Sequence, residues 1–128
     1  MDTKYNIPFE FLMDYLNPKK VKIRPMLGCF GLYLNNKIVF FLRERKEKPT
    51  YNGVWVATTT ENLASLSKTL PSINQHLKLV KDHNSNNTWL FISVQDDKFE
   101  AVVKKACGLV TKGDKRIGNT KKKSLATA

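Results

Sequence analysis

At 128 residues, with 41% hydrophobic and 26% charged side chains, the chain fits one domain with its own core, which excludes wholesale disorder. Its 22 Lys and Arg against 11 Asp and Glu give a formal charge of +11, a field that draws anionic partners: nucleic acid, an acidic protein face or a phospholipid surface. Two cysteines, Cys29 and Cys107, are too few for a disulfide framework, and no secretory leader or membrane-length apolar run is visible, so the expectation is a cytoplasmic protein with free, buried thiols and no membrane contact.

Asn6 is placed to cap a first helix over 7–16, whose buried stripe is Phe9, Leu12, Met13 and Leu16 at helical spacing. Asn17-Pro18 stops it, because a residue before proline avoids helical geometry. Val21-Lys22-Ile23-Arg24 alternates apolar and basic, as a half-buried strand does, and Pro25 is expected to end or bend it. Gly28 and Gly31 flank Cys29-Phe30 and suggest a bulge or a close backbone approach. The runs 31–34 and 37–42 then read as a hairpin turned by Asn35-Asn36, since asparagine tolerates the positive φ of a two-residue turn.

A charged connection over 43–52 leads to a short strand, Val54-Trp55-Val56-Ala57. Thr58 to Thr60 supply a cap for a second helix with Leu63, Leu66 and Leu70 on its apolar face, stopped by Pro71. Two strands follow at 77–80 and 89–94, joined by a polar turn over 82–87. Asp96 or Asp97 caps a last helix that buries Phe99, Val102, Val103, Ala106, Leu109 and Val110, with Gly113 past its end. The predicted order is α-β-β-β-β-α-β-β-α. Short links demand antiparallel neighbours, so the expected fold is a two-layer α+β domain: a single antiparallel sheet with helices packed on one face, over 1–113. Residues 114–128 read as a basic, partly disordered tail.

No catalytic constellation emerges. His76 and His83 fall in polar turns without an orienting carboxylate, and with Cys29 and Cys107 they lack the paired spacing of a zinc site. The glycines at 28 and 31 lie between strands, and those at 113 and 118 follow a helix instead of opening one, so neither pair reads as a phosphate loop. The expectation is a non-enzymatic protein without metal or cofactor.

What remains is charge in three clusters: Lys19, Lys20, Lys22 and Arg24; Lys37, Arg43, Arg45, Lys46 and Lys48; and Lys112, Lys115, Arg116 and Lys121 to Lys123. With Tyr33 and Tyr51 as the exposed aromatic candidates, the candidate binding surface comprises Lys20, Lys22, Arg24, Tyr33, Arg43, Arg45, Lys46, Lys115 and Arg116.

The segment Arg24-Pro25-Met26-Leu27-Gly28-Cys29-Phe30-Gly31-Leu32-Tyr33, followed by Lys37-Ile38-Val39-Phe40, resembles the TfoX N-terminal domain family. Arg24, Met26, Gly28, Gly31 and Tyr33 match its motif, while Leu27 stands where the family commonly has Phe and Cys29 where it often has Gly. Small stand-alone bacterial members are similar also at Gly53-Val54-Trp55, Ser65-Leu66, Pro71-Ser72, Phe99-Glu100 and Asp114-x-Arg116-Ile117-Gly118. The resemblance implies a compact α+β domain and a regulatory, protein-binding role without catalytic residues. A structural account of the same motif gives Gly28 a positive φ, Met26 a place in the core and Arg24 a carboxylate partner. The functional expectation is a protein-interaction or regulatory module, with a homodimer as one form; the alternative is a nucleic-acid binder using the clustered Lys and Arg.

Overall fold

The computed structural model describes residues 6–16, 20–70 and 87–119. Five strands, β1 (Lys22–Met26), β2 (Cys29–Leu34), β3 (Lys37–Arg43), β4 (Gly53–Thr59) and β5 (Asn87–Ser93), form one antiparallel sheet in chain order. Helix α1 (Thr60–Thr69) lies between β4 and β5 in the chain, and α2 (Phe99–Thr111) follows β5. The predicted strand at 77–80, the stop at Asn17-Pro18 and both histidines lie outside the described residues.

One face of the sheet carries Leu32, Phe40, Leu42, Val54, Val56, Leu90 and Ile92. These pack against Leu66 of α1 and Leu70 at its end, and against Phe99, Val102, Val103, Ala106 and Cys107 of α2, so the helices cover one face and the fold is two-layered. Each fully buried aliphatic or aromatic side chain in such a core contributes roughly 1.5–3 kcal/mol. The other face holds Trp55 stacked on Phe91 at 4.4 Å and Phe41 beside Trp89 at 6.0 Å. Gly53 is required where β4 meets β5: its φ is +149°, and a Cβ there would collide with the carbonyl oxygen of Ile92.

Local structure departs from expectation at four places. The N-terminal segment is a short 3₁₀ helix, Glu10–Tyr15, not an α-helix from residue 7. Phe9 has φ 56°, which breaks helical geometry after Pro8, and six residues are too few for an α-helix to hold itself. Its stripe is nonetheless buried at Leu12, Met13 and Leu16.

Pro25 neither ends nor bends β1; it pairs with Phe30 inside the strand. Met26 and Cys29 flank a two-residue turn and so form the hydrogen-bonded pair, which puts Pro25 on the alternate, non-bonded pair. Its missing N–H therefore costs no bond in this ladder, and β1 is an edge strand, where proline is tolerated.

The α2 start is also shifted: Lys98 is the capping position, and Asp96, two residues earlier, accepts the Lys98 N–H at 2.9 Å. The other end is as expected. Gly113 has φ +79°, its N–H bonds to Val110 O and that of Asp114 to Leu109 O, the paired closure typical of a helix ending in glycine.

The largest departure is the segment read as a tail. Asp114 to Asn119 is part of the folded unit. β3 and β4 pair from Arg43↔Gly53 to Phe40↔Val56, and beyond that pair, toward Ile38 and Ala57, they part. Asn119 enters the gap, exchanging both backbone hydrogen bonds with Ile38 at 3.0 and 3.1 Å, while the Gly118 N–H donates to Ala57 O at 2.8 Å. Ile117 is buried in the main core. A register shift on β3, where Leu32 faces Phe40 but Tyr33 faces Ile38, turns the strand end at this point.

Candidate functional site

The β1–β2 turn consists of Leu27 and Gly28 alone, with φ of 51° and 80°. Two positive φ values match the right-handed twist of the flanking strands, and asparagine or glycine is the usual occupant. The neighbouring β2–β3 turn obeys that preference with Asn35 and Asn36, at 52° and 66°. Leu27 does not. A left-handed conformation costs a residue with a Cβ about 1–2 kcal/mol. Leu27 is also 90% exposed, so no packing offsets the strain.

Arg45 is bound to this turn. Its Nη1 donates to Leu27 O at 3.2 Å, and its Nε lies 3.4 Å from where a Cβ on Gly28 would stand. Gly28 thus serves twice, by its positive φ and by letting the guanidinium lie against the backbone. Glu47 pairs with Arg45 at 3.3 Å, but both side chains are exposed, so the bond is weak.

Behind the turn, Lys22 and Arg24 alternate along β1, opposite Tyr33 and Gly31, and both are exposed. The Arg24 guanidinium sits 5.5 Å over the Tyr33 ring, so its partner is an aromatic face and not the expected carboxylate. Tyr33 is only 8% exposed and offers no stacking platform. A Cβ on Gly31 would stand 3.0 Å from Met26 Cε, 3.1 Å from Tyr33 Cε1 and 3.2 Å from Ile38 Cδ1; the three side chains fill the space the glycine leaves. Lys20 is exposed just before the strand.

The candidate surface divides accordingly. Lys20, Lys22, Arg24 and Arg45 gather along β1 and its turn. Arg43 belongs elsewhere: it is 9% exposed and donates to Glu47 O at 2.7 Å, Lys48 O at 3.0 Å and Asn52 Oδ1 at 2.6 Å, stapling its own connection. Arg116 is likewise structural. It grips Asp114 at 2.7 Å and donates from Nη1 to Ser65 and Thr69, tying the C-terminal segment to α1. The hydrogen bonds from Arg116 hold the Asp114 carboxyl below its ordinary value. Lys46 and Lys115 are exposed, but Glu44 and Glu47 interleave with Lys46 and Asp114 stands beside Lys115. Sequence reasoning missed Leu27 and Asn52. A Leu-Gly pair linking two alternating runs was the available signal for the first; Asn52, buried and bonded to both Arg43 and Arg45, had none.

Both thiols are buried. Burial raises the Cys29 thiol above its ordinary value, with Arg43 and Arg45 opposing it only in part, and pushes Cys107 up to about 12. Each is therefore protonated, and a poor nucleophile, near neutrality. Among the described residues, no three His, Cys, Asp or Glu side chains stand together as a metal site would need, and no helix is long and apolar enough to cross a membrane. No family model, curated protein or solved structure matches the chain.

Proposed function

We propose that this chain is a non-enzymatic binding module, with the β1–β2 turn as its contact element and a regulatory role of the kind its resemblance to the TfoX N-terminal domain family implies. One observation carries the reading. Leu27 combines nearly full exposure of its side chain with a left-handed backbone; Arg45 bonds its carbonyl, but no side-chain packing within the described residues offsets the exposure. A side chain held so is explained by a contact made outside the chain. Arg45 supports it, because it fixes the turn and puts a cation beside the apolar tip.

A photo-crosslinking amino acid at position 27 tests this in cells producing the protein, with the same label at exposed Glu61 of α1 as the control. Adducts formed from position 27 and not from 61 are expected. Their absence would sink the reading.

A further inference from the structure

Resting on that reading, we infer that the contact is with duplex DNA: Lys20, Lys22 and Arg24 meet backbone phosphates, and Leu27 enters a base step from the minor groove. Three observations favour this over an acidic protein. First, the sequence holds no Asp or Glu between Asp14 and Glu44, so β1, its turn and β2 form a stretch of one sign. Second, Lys22 and Arg24 alternate along β1 with exposed Lys20 just before it. Two residues of strand span about 7 Å, the axial rise of two phosphate steps along one strand of B-form DNA. Third, the apolar component is one protruding side chain. Protein interfaces need a broad apolar core and are depleted in Lys. Exposed large hydrophobics among the described residues are Leu27, Tyr15 at 41% and Val94 at 39%, and only Leu27 lies in the turn. A single Leu, Met or Pro wedge on a cationic element is how minor-groove proteins unstack a step. With Tyr33 buried beneath Arg24, the surface lacks the exposed rings that single-strand binding uses.

The test uses the whole chain and a labelled duplex of about two helical turns with a central TA step, carrying 2-aminopurine beside that step. Binding is expected at low salt, with log K falling against log salt at a slope of about −3 for the three phosphate-contacting cations. The double variant K22Q/R24Q should reduce that slope by about two. Leu27→Asn restores a favoured turn residue, so its melting temperature should equal or exceed that of the parent. The same variant should keep the salt slope yet lose the rise in 2-aminopurine fluorescence that reports unstacking.

The crosslink at position 27 separates the two levels of the argument. An adduct destroyed by nuclease supports the DNA contact. A nuclease-resistant adduct to another protein overturns the DNA contact and leaves the binding module standing. No adduct overturns both. The DNA contact is also overturned if the duplex does not bind at low salt, or if binding is unchanged in K22Q/R24Q and in Leu27→Asn, which would leave it to lysines such as Lys121 to Lys123.

Discussion

Cys107 shows how far one buried group can couple stability to pH. It is fully buried under the N-terminal segment, its Sγ 3.8 Å from Leu12 O. In the unfolded chain its thiol ionises near 9, and in the folded protein only near 12. Above pH 9 the unfolded state loses its proton first, so stability falls as pH rises from 9 toward 12, by up to ~1.4 kcal/mol per unit. Cys107→Ala removes that dependence. Urea unfolding should show the variant about 1 kcal/mol less stable at neutral pH, through lost packing, with the gap closing at about pH 10. A gap that stays constant would place the thiol in contact with solvent.

At the scale of elements, the Arg43–Asn52 connection is held by one buried cation and three neutral acceptors. Arg43→Lys replaces a planar fork with a point charge that cannot reach all three. A loss of about 2–3 kcal/mol is expected by thermal melting, since buried acceptors are left unbonded. Limited trypsin digestion should then cut at Lys46 or Lys48 sooner than in the parent. An unchanged melt would mean that Asn52 alone holds the connection.

This element also shows what sequence conveys. The Asn35-Asn36 turn and the α2 stripe were legible, because positive φ and a 3.6-residue period each have a compositional signature. Arg43 was not, because arginine in a charged run reads as solvated, and only the backward curl of the connection brings carbonyls around it. The 3₁₀ start was misread because apolar spacing reports which residues are buried, not whether Phe9 leaves helical geometry. Of the candidate surface, Lys20, Lys22, Arg24 and Arg45 stand together, and the tip they surround was seen only as one residue within a motif.

For the whole molecule, the C-terminal segment closes the sheet. A chain ended after Gly113 loses buried Ile117, the Asn119 bonds to Ile38 and the Arg116 contacts with α1. The cost should be roughly 4 kcal/mol, read as a lower urea midpoint. A chain ended after Asn119 keeps every one of these contacts, so its urea midpoint should lie clearly above that of the shorter chain. Equal midpoints for both truncations would show that the segment merely rests on the sheet. It escaped sequence reading because a one-residue bridge has no period, and Gly, Asn and Lys around it have the composition of a tail.

The bridge also sets a clock for synthesis. The Thr58 hydroxyl donates to the Arg116 carbonyl, 58 positions later, at the same seam where Gly118 and Asn119 enter. At about 5–20 residues per second, some 3–12 s separate the making of β4 from the arrival of the residues that fill its gap. Until then Ile38 and the Ala57 carbonyl lack the backbone partners that Asn119 and Gly118 supply, and for part of the interval β5 is also still to be made. Closure of the β3–β4 seam on the ribosome therefore waits on Asn119, and a stalled chain exposes a ready edge for mispairing.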